Sequence, residues 1–472
     1  MATTGRRAPD GRLLAVAVAY AVVQLCYAVA HMDLGWDETV YLSQVDPRHP
    51  AAFFSAPRSR GVSFLVAPVV AVTPSVPVLR VVLVLLSSAA LYAAFRVWDP
   101  LVGRARVALA ALLFATLWIT VLSGPEVMPN LWIALSAVAA VGWFLRTRGD
   151  GRRRALVGLT ATLAAAALFR APDAVWLALP LLAVCAAAPE WRRPGTVAAV
   201  LGGLALGGVQ WAVEAYVRFG GIGNRLSLSS DTEGGMGAHL GAGLRAAYRS
   251  LNGPQLCRPC HIAGPSPTHA LWWLLLPVLV VAACAVGRRE ERAVTLLPIA
   301  CAVALAAPYV LLLDYSAPRF LLPVYALLSL PVAGLVVRVA RGRRAVTGVV
   351  CVVLAAHGAV QLKELRLNTA DARDTTVRYR RAAQELGRLG VRAPCLVTGP
   401  RAQPIAYEAG CASAETMGNN RSTTVRGIVD AASTMPVAIL YDPRDPYVPA
   451  YARAWRVHVL PGTDWAVYVN VR

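Results

Sequence analysis

Residues 13–41 read LLAVAVAYAVVQLCYAVAHMDLGWDETVY. The first part, 13–31, is a nearly uninterrupted apolar run, and about 20 such residues cross a ~30 Å hydrocarbon layer as a helix. Three carboxylates then follow within six residues: Asp33, Asp37 and Glu38. The reading is a membrane helix that surfaces directly into an acidic cluster. Outward from it the chain repeats the first half of that pattern. Further spans are expected at 78–97, 107–123, 130–146, 155–169, 174–189, 196–217, 269–287, 294–313, 320–338 and 346–362. The fold class is therefore an α-helical polytopic membrane protein with about 11 transmembrane helices. Composition agrees: only 15% of the 472 residues are charged and mean hydropathy is +0.53. That leaves too little charged surface for a soluble protein of this length. The dominance of Leu, Val and Ala excludes disorder.

The net charge of +20 would fit a nucleic-acid binder, but its placement does not. With the N-terminus inside, the inside connections are 1–12, 98–106, 147–154, 190–195, 288–293 and 339–345. With the boundary residues Arg96, Arg146 and Arg338 they hold 20 basic and 6 acidic residues, so most of the charge follows the positive-inside rule. No nucleic-acid partner is expected. The first helix lacks a small-residue cleavage pattern and is read as retained. The expected location is the plasma membrane, multi-pass, with a cytoplasmic N-terminus and an extracytoplasmic C-terminus. Loops 32–77 and 218–268 and the tail then share the outside.

Nine cysteines test that topology. Five lie within spans, where a thiol usually packs as a small apolar group. Cys257, Cys260, Cys395 and Cys411 all fall outside, in two local pairs, as expected for disulfides in an oxidising compartment. Cys257-Arg-Pro-Cys260-His261 also spells a haem-attachment pattern, but its Gly-, Pro- and Arg-rich surroundings offer no apolar pocket for a macrocycle.

Two domains follow: 1–362 in the membrane, including the outside loops, and 363–472 as a small extracytoplasmic α/β domain. In the first loop GVSFLVAPVVAVTP is too short to span and reads as an interfacial helix. In the tail, 369–390 has helical spacing, and APCLVTG, PVAILYD, WRVHVLP and WAVYVNV read as strands. TGPRAQP lacks the glycines of a phosphate-binding loop.

The acidic cluster carries the chemistry. Trp36 and Tyr41 can bury a carboxylate and raise its basicity. The cluster leads into Pro57, Arg58 and Arg60. A first span followed by Asp37-Glu38-x-x-Tyr41, an interfacial helix, many spans and an outside tail resembles the GT-C membrane glycosyltransferases. The closest likeness is to their protein mannosyltransferase and aminoarabinose transferase branch (families 39 and 83). Arg80 opening the second span, ALFRAPDAVWLALPLL (167–182, with Arg170), and Ala317-Pro318-Arg319-Phe320-Leu321-Leu322-Pro323 match that branch in kind. Three positions depart from it. Glu126 stands where a second Asp is common, Ala56-Pro57-Arg58 replaces a Pro-Pro pair, and Phe320 replaces Tyr.

The resemblance implies transfer of a sugar from a polyprenyl-phosphate-linked donor to an extracytoplasmic glycan, lipid or protein acceptor. It assigns Asp37 as general base, with Glu38 holding an Arg or the acceptor. Tyr41, Arg58, Arg60, Arg170 and Arg319 become candidates for donor phosphate and sugar, since Arg grips two phosphate oxygens at once. Asp33 and Glu126 become candidates for the acceptor or for a second acid. Each has a structural alternative: Arg58 and Arg60 at lipid heads, Arg170 paired with Asp173, Arg319 paired with Asp314, Glu214 bonded to a neighbouring helix. Membrane lipids are partners in any case. No cofactor is expected, because Asp33-x-x-x-Asp37 matches a divalent-metal site only weakly. The competing functions are a transporter or flippase, expected to show repeated halves with mid-bilayer charges, and a non-catalytic scaffold for cell-envelope assembly.

Overall fold

The structure, a computed structural model, describes residues 11–29, 32–149, 151–444 and 449–471. The topology readings that rest on Arg6, Arg7, Asp10 and Asp150, and the position of His31, lie outside these residues.

Each of the eleven expected spans overlaps a helix or a pair of helices among the described residues. Among the described residues, seven helices are long and apolar enough to cross a membrane: Gly11–Val29, Val76–Val102, Pro194–Phe219, Pro267–Val286, Arg289–Leu311, Pro318–Ala340 and Arg344–Arg388. Asn130–Arg146 and Ala171–Ala187 are apolar but shorter. The 107–123 segment is divided into Arg104–Ala115 and Trp118–Ser123. The break has a cause: the Trp118 backbone N–H leaves the helical ladder and donates to Gln361 Oε1 at 2.9 Å.

Asn130–Arg146 and the first half of Leu322–Ala340 are buried on nearly every side and form the centre of the bundle. Helices Arg152–Phe169 and Pro194–Phe219 meet through Gly203 and Gly207. A Cβ on Gly207 would lie 2.0 Å from the Ala164 carbonyl oxygen, and one on Gly203 would lie 2.7 Å from Leu163 Cβ. Two glycines four apart therefore permit a backbone approach that no larger residue allows. Two pairings of buried polar groups tie helices together, as hydrocarbon favours. Tyr20 Oη donates to the Thr120 carbonyl at 2.8 Å, and Ser87 Oγ to Gln24 Oε1 at 3.2 Å.

The interfacial helix is present as Gly61–Val72. The tail differs from expectation at its start. The segments 346–362 and 369–390 run as one 45-residue helix, Arg344–Arg388, so the boundary between 362 and 363 falls inside a continuous element. The intervening KELRLN (363–368) contains no Gly or Pro and propagates the helix.

Tyr379, Ala382 and Leu386 on the far half of that helix pack under a five-stranded sheet. The strands are β1 (Leu396–Thr398), β2 (Ala412–Ser413), β3 (Val437–Tyr441), β4 (Arg456–Val459) and β5 (Ala466–Asn470), in the order β2-β1-β3-β5-β4. β1 is parallel to β2 and β3, and β5 is antiparallel to β3 and β4. Both disulfides are formed. Cys395–Cys411 ties the approaches to the neighbouring strands β1 and β2. Cys257–Cys260 takes up both thiols of the haem-like pattern.

Candidate active site

Glu38 builds the frame. It is the third residue of helix Trp36–Leu42, and its Oε2 accepts the Gly35 N–H at 2.8 Å, closing the first turn. Oε1 accepts the Val127 N–H at 2.7 Å. Arg80, with no exposed surface, grips both carboxylate oxygens. Both oxygens of Glu38 are thus engaged inside the protein, by Arg80 and by two backbone N–H groups.

Asp37, one residue earlier on the same turn, faces the other way. Arg58 Nη2 donates to its Oδ1 at 2.6 Å and Arg319 Nη2 to its Oδ2 at 2.8 Å. The two guanidiniums come from residues 282 and 21 positions away, so this convergence is made by the fold. About a quarter of the Asp37 side chain stays exposed (26%), against 13% for Arg58 and 11% for Arg319. Burial acts to raise the Asp37 carboxyl, but the charges of Arg58 and Arg319 outweigh it and hold the group below the usual carboxylate range.

Each arginine is anchored from behind. Arg225, fully buried, donates to the carbonyls of Ala56 (3.0 Å) and Arg58 (2.8 Å) and so fixes the loop carrying Arg58. The Arg58 guanidinium lies over the Tyr41 ring at 5.0 Å and the Trp36 ring at 5.7 Å. Tyr41 is therefore a shelf for Arg58, with cation–π geometry. Arg319 sits in the single turn Pro318–Leu321, and its Nη1 donates to the Gln255 carbonyl at 2.7 Å. Two residues on, the Cys257 N–H donates to the Ser316 carbonyl at 2.9 Å, which stitches the disulfide loop to the segment bearing Arg319. Arg319 Nε is buried with no hydrogen-bond partner among the described residues. Its expected structural alternative, Asp314, is not its partner.

Arg170 lies between helices Arg152–Phe169 and Ala171–Ala187, 3.5 Å from Asp173 and over the rings of Tyr309 (5.4 Å) and Phe320 (5.7 Å). Its charge reaches Asp37 without a direct bond. Arg60 does not join the group: its Nε donates to Glu214 Oε1 at 2.8 Å, and Glu214 also takes Arg218 and Arg225. Asp33 turns outward to Arg380 of the 45-residue helix. Glu126 is 5% exposed and takes no side-chain hydrogen bond among the described residues. Burial first, and the neighbouring Glu38 carboxylate second, push its carboxyl up to about 8.

Glu233 was not anticipated from sequence. It accepts the Tyr315 hydroxyl and feels the charges of Arg170, Arg258 and Arg58, while burial raises its carboxyl. Arg225 and Gln255 were missed as well. A single acid, arginine or glutamine in a loop carries no periodic or motif signal; only the fold reveals these three.

Beside the site, a cavity of about 560 Å³ separates the first outside loop from the C-terminal domain, lined on one side by Asp33, Asp46 and His49 and on the other by Arg373, Arg380 and Tyr407. Tyr407 Oη donates to Asp46 Oδ2 at 2.9 Å, and its ring stacks on His49 at 4.0 Å.

This helical bundle with a capping α/β domain shares its fold with solved membrane proteins. ArnT from Cupriavidus metallidurans bound to undecaprenyl phosphate superposes with a TM-score of 0.68 at 12% identity, over 98% of this chain and 99% of that one. Its apo state gives 0.62 at 13% identity, over 97% of both chains. The Archaeoglobus fulgidus oligosaccharyltransferase tethered to an acceptor peptide gives 0.52 at 11% identity, over 91% of this chain and 69% of that one. No protein-family model matches the chain, and no curated protein sequence matches it. The chain is a multi-pass membrane protein with this fold.

Proposed function

We propose that the protein is a membrane glycosyltransferase that moves a sugar from a polyprenyl-phosphate-linked donor to an extracytoplasmic acceptor, with inversion and with Asp37 as general base. The observation that carries the reading is the convergence of Arg58 and Arg319 on one partly exposed carboxylate at the mouth of the bundle. The likeness to a transferase solved with undecaprenyl phosphate supports the donor class.

The chemistry follows from the charges. The donor is a phosphodiester with one negative charge. The acceptor hydroxyl oxygen forms a bond to the anomeric carbon while its proton passes to Asp37. The bond from that carbon to the phosphate oxygen breaks, and its electron pair stays on the phosphate, which leaves as a monoester with two negative charges. Fixed guanidiniums aimed where charge develops are the main means of lowering such a barrier. Arg58, Arg319 and, at longer range, Arg170 fill that role, with Tyr41 as support for Arg58.

Both disulfides lie in segments assigned to the outside, which supports a cytoplasmic N-terminus and an exterior C-terminal domain. The 560 Å³ cavity under that domain offers room for the polar head of a glycan, lipid or protein acceptor. The test is incubation of membranes with labelled polyprenyl-phosphate sugars. Wild type is expected to label a product, and Asp37→Asn to abolish labelling at unchanged membrane levels. Normal transfer by Asp37→Asn removes Asp37 as base.

A further inference from the structure

Two arginines held by one aspartate pose a problem for a base, because a carboxylate neutralised on both oxygens has little pull on an acceptor proton. It poses a second problem for the donor, because the same two guanidiniums are the cations placed to meet its phosphate. We infer that the Asp37 carboxylate and the donor phosphate are alternative partners of the Arg58–Arg319 pair, so that the donor binds first and, by drawing the arginines to itself, frees Asp37 for the acceptor hydroxyl. This rests on the proposed donor chemistry and adds an order of binding to it.

Three observations carry the exchange. The first is geometric: each arginine gives Asp37 only one of its two terminal nitrogens, at 2.6 and 2.8 Å. The second is that neither arginine depends on Asp37 for its place. The Arg58 backbone is held by Arg225, and its Nε donates to Ser55 Oγ at 3.2 Å. Arg319 is held through the Gln255 carbonyl. The third is that Arg319 is nine-tenths buried and its Nε has no partner among the described residues. A buried donor left unpaired costs free energy, and a phosphate oxygen at this position supplies the missing acceptor.

The balance of charge gives the exchange a direction. At the start Asp37 and the phosphodiester carry one negative charge each. At the end Asp37 is protonated and neutral, and the phosphate monoester carries two. One unit of negative charge passes from the aspartate to the phosphate across the same two guanidiniums, so the arginines follow the charge and the transfer needs no new cation. The released polyprenyl phosphate is then held more firmly than the donor that brought it.

The experiment uses the full-length protein in detergent at pH 8, where farnesyl phosphate is a dianion and its methyl diester a monoanion. Asp37→Asn copies the neutral aspartate of the product state. It is expected to bind farnesyl phosphate about tenfold more tightly than wild type, since a like charge beside the site is removed, with a smaller gain for the methyl diester. Arg319→Gln is expected to weaken both. A second measurement needs no variant: in a structure of the wild type with farnesyl phosphate, at least one of the two contacts on Asp37 is expected to have opened onto the phosphate. Asp37→Asn binding equally or less tightly than a binding-competent wild type overturns the exchange alone, as do both contacts persisting beside a bound phosphate. Failure of the wild type to bind either probe overturns the donor reading together with it.

Discussion

Arg80 and Glu38 form a two-pronged ion pair in which the arginine has no exposed surface. The same guanidinium donates to the carbonyls of Pro125 (2.6 Å) and Asp33 (2.8 Å). One side chain on the Val76–Arg96 helix therefore joins the acidic loop, a membrane helix and the 124–129 turn. Because Glu38 is locked inward, Asp37 is presented to Arg58 and Arg319. Removing one member of a buried pair strands the other charge, at a cost of about 3–5 kcal/mol. Arg80→Met is expected to lower thermal stability in detergent sharply, and Arg80→Met with Glu38→Leu to recover part of it. Equal stability of the single and double variants would show that the pair is not what holds this corner.

Arg319 gives one nitrogen to the Gln255 carbonyl and one to Asp37. A lysine keeps the charge but cannot hold both points in a fixed fork. Arg319→Lys is expected to lower the turnover of sugar transfer about a hundredfold, in the range found when a single charge-stabilising donor is lost, while membrane levels stay normal. A change confined to acceptor KM counts against contact with the donor phosphate.

Glu126 predicts a pH signature. Its carboxyl is pushed up to about 8 in the folded protein from an ordinary value of 4.5. Between these values the folded chain binds the extra proton, so this group makes stability fall as pH rises from about 4.5 to 8. Below 4.5 both states are protonated and the contribution is flat. Glu126→Gln stays neutral throughout. The melting temperature of Glu126→Gln relative to wild type is therefore expected to climb between pH 5 and pH 8; a difference that stays constant with pH rules out the buried neutral acid.

The disulfide loop predicts a redox effect on donor binding. Cys257 and Ser316 pair through their backbones, and Gln255 holds Arg319 directly. Cys257→Ser with Cys260→Ser is expected to raise the donor KM several-fold while leaving the melting of the bundle nearly unchanged. An effect on global stability with no change in donor KM would assign the bridge a purely structural part.

Much of this architecture was legible in the chain, for definite reasons. Spans are visible because hydrocarbon forces about 20 apolar residues into line, and the cysteine pairs are visible because they avoid the basic loops. The weak points are equally physical. Residues 363–368 look like a boundary because polarity rises there, yet nothing in them breaks a helix, and the helix continues. The acidic cluster could be located but not divided: Asp33, Asp37 and Glu38 lie within six residues and meet four arginines in three separate groups, Arg380, the Arg58–Arg319 pair and Arg80. Arg60 lies two residues from Arg58 and is committed elsewhere, to Glu214. Sequence adjacency says which groups are near the mouth of the bundle; tertiary packing decides which of them face it.

The 45-residue helix Arg344–Arg388 spans about 68 Å at 1.5 Å per residue, roughly twice the hydrocarbon thickness. It is a rigid mast rooted in the bilayer and braced at Arg380 against Asp33. Any tilt of its lower half, as when the surrounding membrane thins or thickens, swings the upper half as a lever and carries the sheet with it. The gap beneath the cap, lined by Arg373 and Arg380 of that helix, is thereby joined to the bilayer through one unbroken element.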